Sequence, residues 1–480
     1  MNTLNRGFVY FICLVSAMGG LLFGYDWVVI GGAKPFYELF FGIADDPAMQ
    51  GWAMSSAILG CLIGAVSAGM MADRFGRKPL LIISAFIFLA SAIATGAFND
   101  FSLFIVARLV GGVAIGIASA LSPMYIAEVA PAQIRGKLVT LNQMTIVFGI
   151  LAAQIVNMLL AEPIPDGMSQ AAMLESWNVL MGWRWMFWAE AVPAAIFFAM
   201  TFFIPESPRW LTMVGRIEQA EIVFFRIGGK QYSRDAIAAV RNAEANTENA
   251  GLRTLLSRPY RLVLVLGIII AVFQQWSGTN VIFNYAQEIF AAAGYPLGAM
   301  LFNIVVTGVA NVVFTFVALF TVEKLGRRKL MLLGAGGLAG IYLILGTCYW
   351  LHLSGVLMMV CVVAAIACYA MSLGPITWVL LAELFPNRVR AIAMAVCTFA
   401  LWTGCFTLTY TFPLLNSWLG SFGTFWTYAG ICLAGFLYFA RVLPETKGKS
   451  LEQLEQELIR PEANKRKRDK ALCADKRYAR

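Results

Sequence analysis

Charge is scarce in this chain. Only 13% of its 480 residues are charged, about half the ~25% of an ordinary soluble protein. A water-facing surface of this composition would aggregate, so a soluble enzyme, a disordered chain and a single-anchor receptor are all excluded. Histidine is nearly absent, with His352 alone. No nucleophile–base constellation can be built around it, so a membrane enzyme is not expected. Zinc-ligand spacing is missing, and most of the nine cysteines sit in apolar runs, for example Cys13, Cys61, Cys361, Cys368 and Cys405. No disulfide framework, metal site or cofactor is expected. No Asn-X-Ser/Thr signal occurs anywhere, which favours a bacterial inner membrane over a eukaryotic plasma membrane.

Apolar residues fill the space that charge leaves: 60% of the chain is hydrophobic. Twelve spanning helices at ~20 residues each would use ~240 residues. Twelve runs of that length are present, at about 8–33, 51–72, 79–98, 101–127, 138–161, 184–204, 260–292, 298–322, 329–351, 355–382, 391–414 and 421–442. The first follows Arg6 and resembles a signal peptide, but it continues past Gly31 without a cleavage site and reads as a retained helix. The expected fold is an all-α membrane protein. Residues 1–204 form one six-helix half, 205–259 a polar linker with short helices, 260–443 a second half and 444–480 a polar tail.

Positive charge is unevenly placed. Loops after even-numbered runs hold Arg74, Arg77, Lys78, Arg135, Lys137, Lys324, Arg327, Arg328, Lys329, Arg388 and Arg390; the others hold little beyond Lys34 and Arg184. Both termini and the linker are therefore expected in the cytoplasm. The run Lys465–Lys470 reads as a tail on anionic cytoplasmic lipid or a solvated one, rather than a nucleic-acid site.

The chain also repeats itself. Asp73–Lys78 (DRFGRK) is echoed by Glu323–Arg328 (EKLGRR), Glu128–Arg135 (EVAPAQIR) by Glu383–Arg390 (ELFPNRVR), and Pro205-Glu206-Ser207 by Pro444-Glu445-Thr446. Three pairs in one order mean two parallel six-helix halves, a transporter architecture. Asp73, Glu128, Glu206, Glu323 and Glu383, with Arg74, Arg77, Arg135, Arg209, Arg327 and Arg390, are candidates for a cytoplasmic gate. Acidic residues contribute little to topology, so opposite charges there read as latches between inner helix ends.

Ionisable residues inside spans are costly and usually functional. Asp26, Arg108 and Glu190 lie inside the first, fourth and sixth runs. Counted from the outer helix ends at 1.5 Å per residue, all three lie roughly 10 Å deep. Two carboxylates and one guanidinium at one level make a group of charge −1 that a single proton neutralises. A static ion pair is the plainer alternative. The seventh run carries Gln274, Gln275 and Asn280, with Gly278 permitting local unwinding. Sugar hydroxyls need such amides in a low-dielectric site, and sugar C–H faces need aromatic rings. Gln143, Asn311, Trp378 and Trp402 are further candidates.

GGLLFGYD (Gly19–Asp26), DRFGRK, RLVGG with SPMYIAEVAP (from Arg108), PESPRW (Pro205–Trp210), FQQWSGTN (Phe273–Asn280), GPITWVLLAELFP (Gly374–Pro386) and PETKGKSLEQLE (from Pro444) occur in order. By these motifs the chain resembles the major facilitator superfamily, in particular its sugar porters, and most of all bacterial proton-coupled symporters of the xylose type. The resemblance implies that Asp26 and Arg108 are a proton-coupling pair, since facilitators of the family carry asparagine in place of that aspartate. It also implies that the amides and tryptophans above hold a monosaccharide. Three positions depart from the pattern: Ile150 and Leu401 replace glutamines, and Asn284 replaces a tyrosine. The expectation is proton-driven import of a pentose such as D-xylose, or of a hexose, by a monomer. A proton-independent uniporter is the main alternative; a sugar sensor is a weaker one, because the tail is short.

Overall fold

The computed structural model describes residues 4–165, 170–245, 252–353, 355–386 and 389–447. The basic run at 465–470, the tail beyond Lys447 and Arg388 lie outside the described residues, as does the side chain of Glu323. The first half contains α1 (Arg6–Phe41), α2 (Pro47–Phe75), α3 (Lys78–Ala97), α4 (Phe101–Val129), α5 (Arg135–Leu160) and α6 (Trp183–Thr201). The linker contains α7 (Pro208–Met213) and α8 (Ile217–Ala245). The second half contains α9 (Arg258–Trp276), α10 (Thr279–Asn284), α11 (Ala286–Ala292), α12 (Leu297–Leu325), α13 (Arg327–Trp350), α14 (Val356–Met371), α15 (Leu373–Leu384) and α16 (Arg390–Val442).

Among the described residues, ten helical segments are long and apolar enough to cross a membrane. The 53-residue α16 is one of them, and it turns at Gly420, where φ is 66°, into two arms. With α6 added, the count is twelve spans. The seventh span is interrupted at Gly278 and Tyr285, and the tenth at Ser372. Broken backbone at membrane depth is tolerated only where protein or a cavity supplies hydrogen-bond partners, which is where transporters place their ligands.

Local sequence explains the joints. Asp46 accepts hydrogen bonds from the Ala48 and Met49 amides at 2.9 and 3.1 Å, and Pro47 follows, which starts α2. Asp100 starts α4 in the same way, through Leu103. Gly60 and Gly64 on α2 face Gly112 and Gly116 on α4. A Cβ at any of the four would meet backbone atoms of the other helix, so these two helices touch main chain to main chain.

Within the first half, α2 packs on α4, α1 on α5 and α3 on α6; within the second, α13 and α9 pack on α16, and α12 on α14. The halves meet along α2 with α16 and α5 with α12, and α1 reaches α10 and α11. One end of the bundle carries the repeated charged motifs and forms a basic face. The linker lies against that face: Asn5 donates to the Ile227 carbonyl at 2.9 Å, and Arg226 stacks on Phe8.

Candidate functional site

Asp26, Arg108 and Glu190 come together from α1, α4 and α6. Close packing sets their register: Gly24 lies on the Ile146 backbone and Gly149 on the Leu21 backbone, so α1 and α5 are locked beside the acid. The Arg108 guanidinium donates from Nη1 to Asp26 Oδ1 and stacks 5.5 Å from the Phe187 ring centroid. Glu190 is in electrostatic contact with both members of the pair. The three residues are 5%, 2% and 2% exposed. Asp26 Oδ2, Arg108 Nε and Glu190 Oε1 have no hydrogen-bond partner in this arrangement. Buried polar atoms are normally satisfied, so this group has bonding capacity in hand. A small cavity with room for about one water opens on it, lined among others by Asp26, Trp27, Arg108 and Asn284. The arrangement can hold one proton and exchange it for a second contact to Arg108.

The amides form a chain in the second half. Gln274 donates to the Tyr369 hydroxyl at 2.6 Å, Gln275 to Gln274 Oε1 at 2.6 Å, and Asn280 to Gln275 Oε1. Gly278, with φ at 84°, folds the backbone between the glutamines and Asn280 so that the bonds close within one strand of chain. Trp402 sits 5.9 Å from Trp27 and 6.0 Å from Phe23, ring centre to ring centre. Trp27 therefore bridges the acidic cavity on one half and the aromatic wall of the other. Asn284 is buried beside the same cavity, and its Oδ1 has no partner. Gln143 on α5 and Trp378 on α15 are exposed, while Asn311 is buried on α12; these three stand outside the amide chain. Ile150 and Leu401 are both buried.

On the basic face the two halves repeat one construction. Gly76 and Gly326 turn at φ 92° and 88°. The Glu206 carboxylate then accepts from the Arg77 amide at 2.9 Å, and Glu445 from the Arg327 amide at 2.9 Å. Arg77 pairs with Glu128 at 2.8 Å and with Asp73 at 3.5 Å, and Arg327 pairs with Glu383 at 3.0 Å. Ser207 and Thr446 donate to the second oxygens of Glu128 and Glu383. Arg390 donates to the Phe385 carbonyl at 3.0 Å. Arg74, Arg135 and Arg209 are exposed. Each of these ion pairs lies within one half, because the repeat supplies Arg77 and Arg327 with carboxylates from their own halves.

A family model described as "Sugar (and other) transporter" matches residues 12–458. The chain belongs to this sugar transporter family. It is 36% identical to the arabinose-proton symporter of Bacillus subtilis over 453 residues, covering 94% of this chain and 95% of that one. It is 36% identical to the D-xylose-proton symporter of Escherichia coli over 496 residues, covering 97% and 99%. Among solved structures, the inward-open xylose transporter XylE of E. coli matches with a TM-score of 0.82 at 34% identity, over 94% of this chain and 100% of that one. XylE bound to 6-bromo-6-deoxy-D-glucose matches with a TM-score of 0.75 at 34% identity, over 95% and 100%.

Sequence reasoning about the family's motifs left some residues out. Tyr369 terminates the amide chain, and only its tyrosine type beside Gly374 and Pro375 hinted at that. Trp27 follows Asp26 directly, and its position on the inner face of α1 emerges only with Trp402 in place. Lys34 reads as a loop charge but is 3% exposed and pairs with Glu38 at 2.8 Å and with Glu288 of the other half.

Proposed function

We infer that the chain is a proton-coupled importer of a monosaccharide that works by alternating access between its two six-helix halves. One observation carries the reading: the buried Asp26–Arg108 pair, with Glu190 in electrostatic reach, shares a cavity wall with Trp27 and Asn284, and Trp27 packs on Trp402 of the opposite half. A change of protonation at Asp26 is thereby felt at the aromatic wall against which a sugar packs. Gln274, Gln275 and Asn280 supply donors and acceptors for hydroxyls, with Asn284 adding an unsatisfied carbonyl. Gln143, Asn311 and Trp378 complete the site from neighbouring spans when the halves close on the sugar.

Ile150 and Leu401 make two walls less polar, which suits a sugar lacking a hydroxyl or hydroxymethyl there. The proton-coupled relatives act on arabinose and xylose, and a pentose fits this reading best. The basic face is cytoplasmic, with both termini and the linker on that side of a bacterial inner membrane. The chain acts as a monomer. The halves correspond to residues 1–204 and 260–443, and the paired charges of the basic face hold each half rigid while it rocks.

Competition uptake over pentoses, hexoses and deoxyhexoses tests the sugar assignment. Displacement by D-xylose or L-arabinose ahead of D-glucose is the expected order. Equal rejection of every sugar would end the sugar reading.

A further inference from the structure

We propose that Lys34, Glu38 and Glu288 form an ionic latch that holds the outer side of the transporter shut, separate from the proton-coupling trio. The outer side is the one opposite the basic face, and this assignment rests on the proposed cytoplasmic orientation of that face.

Lys34 lies on α1, eight residues beyond Asp26, and is 3% exposed. Its ammonium forms an ion pair with Glu38 one turn along the same helix at 2.8 Å and a hydrogen-bonded ion pair with Glu288 on α11 in the other half. It also stands 5.6 Å from the Tyr285 ring centroid. A lysine so deeply placed is costly unless partners stay with it. Glu38 belongs to the same helix, so it stays when the halves part. Glu288 does not. Its side chain is 28% exposed, against 8% for Glu38, so it has water within reach. The cluster thus has two discrete states: a closed triad, and an open Lys34–Glu38 pair with a hydrated Glu288. That is the form of a switch rather than of a static brace.

The surrounding contacts close at the same seam. Gln287 donates to the Gly32 carbonyl at 3.0 Å. A Cβ on Gly31 would lie 2.9 Å from the Asn284 carbonyl oxygen, so α1 meets α10 backbone to backbone. Farther along the interface, Gly51 on α2 rests on the Tyr410 backbone of α16. Among the described residues, Lys34–Glu288 is the ion pair across this seam, and it rides on the helix that carries Asp26. Along an α-helix eight residues span about 12 Å. A shift of α1 that re-pairs Asp26 therefore reaches Lys34 directly.

The test is an electron–electron distance measurement on the full-length protein in lipid. Spin-labelled non-natural residues replace exposed Asp45 and exposed Ser417, one at the outer end of each half. Glu288→Gln and Lys34→Met are each expected to move the distribution from short to long, raising the open-to-closed ratio about tenfold or more. The charge swap Lys34→Glu with Glu288→Lys is expected to restore the short distance. Glu288→Asp, which keeps charge but shortens reach, gives an intermediate shift and serves if the stronger variants do not assemble. An unchanged distribution in Glu288→Gln, or opening in Lys34→Met alone, overturns the latch. The measurement needs neither sugar nor gradient, so it fails or succeeds independently of wild-type sugar uptake, which tests the function itself.

Discussion

Replacing Asp26 with asparagine keeps shape and removes one charge. Removing one partner of a buried ion pair usually costs about 3–5 kcal/mol, because the other charge is stranded. Here Arg108 keeps a second carboxylate, Glu190, within electrostatic reach. The group's charge passes from −1 to neutral, which is the state a bound proton creates. Asp26→Asn is therefore expected to fold and to bind sugar, fixed as though protonated. What it loses is the driving force. One charge moved through 100 mV is worth about 2.3 kcal/mol, and each 1.4 kcal/mol is tenfold, so a one-proton symporter accumulates sugar up to about 40-fold. In proteoliposomes with an imposed inside-negative potential, wild type approaches that ratio. The variant stops at equal concentrations inside and out, while exchange of labelled for unlabelled sugar continues. Accumulation by Asp26→Asn at the wild-type ratio would refute coupling through this residue.

Asn280→Ala strands Gln275 Oε1 and removes a sugar-facing amide; a loss of about 1–3 kcal/mol corresponds to affinity weaker by about five- to 150-fold in calorimetry. Gly76→Ala places a Cβ at φ 92° against the Glu206 carboxylate, and a loss of about 1–2 kcal/mol in stability is expected, read as a lower unfolding temperature. Glu445 lies outside the spans. Burial acts to raise its pKa, but hydrogen bonds from the amides of Lys447, Arg327, Arg328 and Thr446 outweigh it and hold the carboxyl below the ordinary 4.5. A depressed folded value means the stabilisation is present above pH 4.5 and disappears as pH falls through the lowered value. Glu445→Gln should flatten the thermal-stability profile between about pH 5 and 3; an unchanged profile contradicts the assignment.

Much of this was readable from hydropathy and repetition, and the exceptions have physical causes. The apolar runs locate the spans because backbone in lipid must bond to itself. The first run stops at 33 by hydropathy, yet α1 continues to Phe41. Lys34 and Glu38 lower the hydropathy there, and their pairing makes burial tolerable. Runs at 391–414 and 421–442 read as separate helices, whereas α16 continues through residues 415–419 and turns only at Gly420; no polar loop is needed when one glycine reverses the chain. Asp26, Arg108 and Glu190 stand out in sequence because charge is so rare in the spans, and equal depth suggested their meeting. Partners from distant spans leave no such mark. Lys34 and Glu288 are 254 residues apart, and Gln274 and Tyr369 are 95 apart. Each looks like an ordinary helix-end charge or core tyrosine until the halves are assembled.

Sugar-induced proton movement in reconstituted vesicles bears most directly on the central claim. With purified wild-type protein and a pH-sensitive dye inside the vesicles, adding a transported pentose without any imposed gradient should acidify the lumen as sugar enters, and Asp26→Asn should abolish the signal. Saturable sugar uptake by wild type with no accompanying pH change would contradict proton coupling and leave a uniporter.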